Sequence, residues 1–382
     1  MNFYETSSIE ERLVLMEELY KQFSQRAHQV DLDGSFPYEN IQDLKKTRYT
    51  ALTVPTKFGG KGISLYELVR LQEKMAEGDG ATSLSIGWHM GIVFNLSEKE
   101  LWNETVFAEL CEKVLSGQLL NSAQTEPKTG SPTRGGRPET TAKKIGDEWI
   151  INGRKTYTTM SPMLDLLIVS ATIHESNEVA NFLIPRTTQG VEIEETWDSI
   201  AMRGTGSHDL ILKNVQVPNQ YLVEKLNDHD KKTNGWLLHI PACYLGIAKS
   251  AKKYAIEFAS SYSPNSITGP IIELPNVQNR LGEIELLLMQ CEYFLYGVAK
   301  QWDFSNDQEK LKLGPALGAA KLTVTNNAIK IVDLAMRIVG AQSLSLKNPL
   351  QRYYRDVRAG LHNPPMDDMT LKSLATISIN NQ

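Results

Sequence analysis

Fourteen residues near the end of the chain, Arg355 to Asp368 (RDVRAGLHNPPMDD), carry Asp356, His362, Asp367 and Asp368 within one loop-forming stretch. Carboxylates and an imidazole so close together are the side chains that abstract or return protons near neutral pH. Each also has a plainer reading. Asp367 and Asp368 precede MTLKSLATISI, where acidic residues suit the positive end of a helix. A second histidine, His89, lies in the apolar run SIGWHMGIVFNL and by itself reads as a core histidine. The three cysteines, Cys111, Cys243 and Cys291, are far apart with no CxxC, so they read as small buried residues in a reducing, cytoplasmic setting rather than as a zinc or disulfide framework.

These residues need a scaffold. The chain has 382 residues, 41% of them hydrophobic, with a net charge of -5, which permits a large shared core and gives no basic surface for nucleic acid. No window is apolar enough for a membrane span, and the N-terminus lacks a leader pattern. Three blocks follow one another. Residues 1–119 are helical: Ser8 and Glu11 form a capping-box pattern, and SLYELVRLQEKMAEGD follows the turn PTKFGGKG. Residues 120–225 alternate as strands, with Asn152-Gly153 as a hairpin signal. Residues 226–382 return to helices, where Leu317, Ala320, Val324, Ala328, Ile331, Ala335 and Ile338 recur at steps of three and four, as do Val277, Leu281, Ile284, Leu288 and Cys291. The helix, sheet, helix order implies a compact α+β unit.

Four motifs occur in a fixed order: VPTKFGGKG at 54–62, SAQTEPKTGS at 122–131, INGRKTYTT at 151–159 and MRGTGSHDLILKNVQVP at 202–218. Together they resemble the acyl-CoA dehydrogenase family over nearly the whole chain. The resemblance implies an N-terminal helical domain, a flavin-binding β-domain and a C-terminal four-helix bundle that also builds a homotetramer. It implies FAD or FMN as cofactor, with Thr125 at the pyrimidine edge of the ring, Thr159 near its N5 and Tyr157 against one face. It also implies Ser131 as a substrate contact and Arg337 as a phosphate contact. Arg203 reads as structural.

One part of the family pattern is missing. The resemblance places a catalytic Glu eight residues beyond the Asp of an RD motif; here Arg355-Asp356 is present and the eighth residue is Pro364. Some relatives carry the Glu at the start of the first C-terminal helix, where this chain has Trp236 and Leu237. Asn265 stands where an Arg would clamp the FAD pyrophosphate, and RIVGAQS replaces a glycine-rich adenylate contact, which leaves FMN or loosely held FAD. A histidine in the N-terminal cavity helix and another in the late loop are similar to the family's flavin-dependent monooxygenase branch. There reduced flavin comes from a flavin reductase, and no Glu base is needed. His89 and His362 are then the expected catalytic residues. The alternatives are an acyl-CoA dehydrogenase that uses Asp367 or Asp368 and passes electrons to an electron-transferring flavoprotein, and a silent relative that binds an acyl thioester or a partner.

Overall fold

The computed structural model describes residues 2–129, 136–226 and 233–380. The N-terminal block holds α1 (Ile9–Asp33), α2 (Tyr38–Lys46), α3 (Leu65–Ala76), α4 (Gly80–Lys99) and α5 (Glu104–Leu115). The expected capping box forms, with the Ser8 hydroxyl accepting from Glu11 N and the Glu11 carboxylate accepting from the backbone at Ser8. The next block is one sheet, with β1 (Leu120–Ala123), β2 (Thr141–Ile145), β3 (Glu148–Thr158), β4 (Leu166–Ile173), β5 (Val179–Pro185), β6 (Val191–Glu194), β7 (His208–Pro218) and β8 (Leu222–Leu226). Its order is β6-β7-β3-β2-β4-β5-β8, and β1 pairs with β4; the β1–β4 and β2–β4 pairs are parallel.

Asn152-Gly153 does not turn the chain. The turn between β2 and β3 is at Gly146-Asp147, with Gly146 at φ +60°, and Asn152-Gly153 makes an irregularity inside β3. Asn152 Oδ1 accepts from Asn214 N of β7, and a Cβ on Gly153 would stand 2.3 Å from Thr140 Oγ1. The dipeptide's turn chemistry has been used to bend a long strand instead of reversing it.

The C-terminal block comprises α6 (His239–Ser261), α7 (Pro275–Phe304), the short α8 (Asp307–Lys312), α9 (Gly314–Val339), α10 (Pro349–Asp356) and α11 (Asp367–Asn380). All seven α9 residues of the predicted stripe are buried, as are Val277, Ile284, Leu288 and Cys291 of α7. One apolar core joins α6, α7 and α9 to α3 and α4 of the first block. No helix among the described residues is long and apolar enough to cross a membrane.

A polar clasp fixes the three blocks to one another. Arg355 of α10 pairs with Asp31 at the end of α1 and donates through Nη1 to Ile200 O (2.6 Å), while Arg203 Nε donates to Asp31 O (2.6 Å). Asp356 Oδ1 accepts from Met202 N at 2.6 Å. Arg203 is therefore structural, as its sequence context implies, and the RD motif sets where the following loop begins.

Asp356 is buried, and this desolvation lifts its carboxyl to about 7 despite the Met202 N–H and the Arg352 guanidinium. Between its ordinary value of 3.8 and about 7 the folded chain holds a proton that the unfolded chain has lost, so stability falls as pH rises through that window. Asp356→Asn, which keeps the acceptor for Met202 N, is expected to flatten this slope by on the order of a few kcal/mol in urea titrations from pH 4 to pH 7. An unchanged slope would show that Asp356 is not the group responsible.

Candidate functional site

The β1 strand ends one residue before Gln124-Thr125-Glu126, and β3 ends at Lys155-Thr156-Tyr157-Thr158. Thr156 N donates to Thr125 O (2.8 Å), stitching the two segments side by side. Beneath the stitch lies a fully buried ion pair. Lys155 Nζ donates to Glu126 Oε1 at 2.6 Å and to Ser170 Oγ of β4 at 3.1 Å. Glu126 also accepts from Glu139 N (2.6 Å) and Thr140 N (3.0 Å). Burial pushes the Glu126 carboxyl up, but the Lys155 ammonium and Thr140 outweigh it and hold the group at about 2. The Glu of TEP and the Lys of NGRK, 29 residues apart, are thus two halves of one fastening.

Lys155 points inward and Tyr157 outward from an irregular stretch of β3. Tyr157 takes φ +57°, a conformation that a bulky side chain rarely adopts, and its ring is 66% exposed. The Trp197 ring meets it edge to face at 6.2 Å. Trp197 is itself held in place, since His208 Nδ1 accepts from Trp197 N (3.0 Å) and Thr196 N (3.1 Å). Thr159 Oγ1 is bonded to Ser207 Oγ (2.9 Å), Ser207 to Thr205 Oγ1 (2.8 Å), and Thr205 donates to Met202 O. The Thr125 hydroxyl takes no partner among the described residues. Thr125, Tyr157 and Thr159 therefore converge on one end of the sheet, presenting an exposed aromatic face beside oriented hydroxyls. That set matches a flat heterocycle with polar edges. Ser131 lies outside the described residues.

The other predicted residues fare differently. His89 is buried, and Leu120 N donates to its Nδ1 (3.1 Å), so Nε2 carries the proton and donates to Thr50 O (2.8 Å). Burial holds it neutral, at about 4. With both nitrogens bound to backbone it cannot act on a bound molecule, which corrects the catalytic part expected of it; its part is to pin α4 to the root of β1. Arg337 is exposed at the end of α9 and pairs with Asp333 one turn away, and α9 packs mainly on α6 and α7. The structure does not bring it to the Thr125–Tyr157–Thr159 cluster.

The late loop runs as a 3-10 turn, Val357–His362, into Asn363-Pro364-Pro365. Asn363 Oδ1 accepts from Tyr244 OH of α6 at 2.5 Å, and His362 is exposed. Asp367 is held by α9, with Lys321 Nζ at 3.2 Å and Asn326 Nδ2 at 2.9 Å, in the first turn of α11. Asp356 belongs to the clasp. No pattern in the sequence singles out Trp197 and its anchor His208, nor His239 at the start of α6. His239 is completely buried between Trp88 and Trp236. Single aromatic and histidine residues carry no spacing pattern, so only packing reveals them.

The family models for the N-terminal, middle and C-terminal domains of acyl-CoA dehydrogenases match residues 13–100, 121–215 and 238–363. YdbM of Bacillus subtilis (strain 168), whose acyl-CoA dehydrogenase name is provisional, is 53% identical over 93% of each chain. Two solved structures share the fold. Butyryl-CoA dehydrogenase from Megasphaera elsdenii has a TM-score of 0.88 at 19% identity, covering 99% of this chain and 100% of its own. FMN-bound TdsC, a dibenzothiophene monooxygenase from Paenibacillus sp. A11-2, has a TM-score of 0.88 at 22% identity, covering 97% of each.

The buried pair sets a stability test. Lys155→Met leaves the Glu126 carboxylate buried without its counter-charge and is expected to cost about 3–5 kcal/mol, read from the urea midpoint. Adding Glu126→Gln to that variant should recover part of the loss, because no lone charge then remains. A single-variant loss below about 1 kcal/mol would mean that the pair is not the fastening inferred here.

Proposed function

Because this chain belongs to the acyl-CoA dehydrogenase family of oxidoreductases, we propose that it is a flavin-dependent enzyme of the monooxygenase-like type, working with reduced flavin delivered by a separate flavin reductase and with oxygen. The observation that carries this reading is the commitment of the late loop's acids: Asp356 to Met202 N, Asp367 to Lys321 and Asn326, with Pro364 where a base would stand. Thr125 and Thr159 would meet the polar edges of the ring and Tyr157 one of its faces. FMN, or FAD, when bound, supplies two-electron redox chemistry and reactivity toward oxygen. The exposed imidazole of His362 would hold or return a proton at the substrate side. Three buried free cysteines fit a reducing compartment such as the cytoplasm.

The likeness to YdbM favours a second reading, an acyl-CoA dehydrogenase acting on an acyl-CoA thioester and passing electrons to an electron-transferring flavoprotein. It requires Asp367 to leave Lys321, or Asp368 to serve from the exposed first turn of α11. A homotetramer, proposed on the family's pattern, fits an apolar stripe on α7. Leu286, Met289 and Tyr293 follow at steps of three and four and are 56%, 47% and 77% exposed, a face suited to a second copy of the chain.

Three outcomes are expected. Anaerobic addition of a panel of acyl-CoAs to the flavin-loaded protein should leave the visible absorbance unchanged, whereas rapid bleaching would contradict the monooxygenase-like reading. His362→Ala should lower substrate-dependent oxygen consumption by about 10²-fold with flavin affinity little altered; an unchanged rate removes His362 from the site. For assembly, Tyr293→Asp is expected to reduce the mass seen by light scattering, and an unaltered mass would exclude this face as the contact.

A further inference from the structure

The chain between β6 and the Arg203–Thr205 turn, residues 195–201, has no regular structure, so its backbone N–H groups need partners from outside a ladder. His208, the first residue of β7, serves two of them: its Nδ1 accepts from both Thr196 N (3.1 Å) and Trp197 N (3.0 Å). A ring nitrogen that accepts carries no proton, so the imidazole is neutral with its proton on Nε2. A second tie involves no imidazole, since Asp209 N donates to Thr196 Oγ1 (3.1 Å).

Trp197 is what this arrangement carries. Its ring meets the exposed Tyr157 ring edge to face, and its Nε1 donates between Met202 O (3.3 Å) and Arg203 O (3.2 Å). Met202 O also accepts from Thr205 Oγ1 (3.0 Å), where the hydroxyl chain from Thr159 through Ser207 ends. The aromatic face and the oriented hydroxyls therefore share one carbonyl anchor, and His208 fixes the backbone of the segment that reaches it. The Lys155–Glu126 pair holds the strand beneath Tyr157, whereas Trp197 meets the Tyr157 ring itself.

We propose that His208 is the positioning residue of this face: neutral, it holds Trp197 against Tyr157 in the arrangement that receives a flat ring, and protonated at Nδ1 it releases Thr196 N and Trp197 N and lets the indole leave Tyr157. The part that concerns a bound ring rests on the flavin reading above; the latch itself does not. Protonation turns an acceptor into a donor that faces two other donors, so both bonds are lost together. The charged groups acting on the imidazole are Glu195, just beyond β6, and Asp209, beside it on β7, and both favour the protonated form. Burial opposes them and prevails, keeping the group below its ordinary 6.5. From β3 it is faced by the uncharged Thr158, while Arg154 of the same strand is engaged by Asp209 and Glu194. The latch is therefore closed at neutral pH and opens on the acid side of the ordinary imidazole range.

Fluorine NMR of the full chain labelled with fluorotryptophan, without added flavin, tests the latch. The Trp197 resonance, assigned by its loss in Trp197→Phe, is expected to shift as a one-proton titration with its midpoint below 6.5. His208→Asn, whose Oδ1 can accept in place of Nδ1 and does not titrate, should hold the resonance at its alkaline position throughout, and His208→Leu at its acid position. Titration of the same proteins with FMN and with FAD at neutral pH reads the consequence. His208→Leu is expected to bind flavin about tenfold more weakly than the wild type, and His208→Asn to restore most of the loss. A Trp197 resonance that stays fixed in the wild type, one that moves equally in His208→Asn, or an unchanged flavin affinity in His208→Leu would each overturn the proposal. A wild type that binds neither flavin defeats the flavin reading instead, and the resonance still decides the latch.

Discussion

The buried pair between Lys155 and Glu126 is the constraint on which the site depends. An ammonium and a carboxylate withdrawn from water are tolerated only when each finds its partner and the remaining lone pairs are filled. Here the backbone N–H groups of Glu139 and Thr140 and the hydroxyl of Ser170 complete the set. The pair forms in the register that puts Thr125 beside Thr156, with Tyr157 turned outward at a backbone angle a bulky residue rarely takes. Local strain at Tyr157 is sustained by the fastening beneath it.

The clasp of Asp31, Arg203, Arg355 and Asp356 does for the domains what the pair does for the strands. It anchors the start of the late loop, Tyr244 holds its middle through Asn363, and Lys321 with Asn326 holds its end through Asp367. A loop fixed at three points leaves little freedom for a carboxylate to swing inward. Pro364 stands where the Glu is expected, Asp356 and Asp367 are committed to other partners, and His362 and Asp368 are the ionisable side chains of this stretch that are exposed.

Much of the architecture is legible in the sequence because periodic burial and cap chemistry are local: the α9 stripe, the Ser8–Glu11 box and the strand block all follow from neighbours a few residues apart. The ordered motifs reveal where Thr125, Tyr157 and Thr159 converge, but not why. The reason, Glu126 against Lys155, is a long-range contact. Local signals also mislead where tertiary context overrides them. Asn152-Gly153 bends a strand because Asn214 and Thr140 occupy its surroundings, and His89 is a peg because two backbone groups reach it. His239 is invisible to pattern, since only the packing of α4 on α6 shows that its nitrogens have no partner among the described residues.

The most direct measurement is a crystal structure of the flavin-loaded protein. The ring is expected against Tyr157 with Thr125 and Thr159 at its edges, Asp367 still bonded to Lys321, and no carboxylate oxygen within about 3.2 Å of the reacting face or of a bound substrate there. Asp367 or Asp368 found reaching across that face, with His362 turned to solvent, would contradict the central claim.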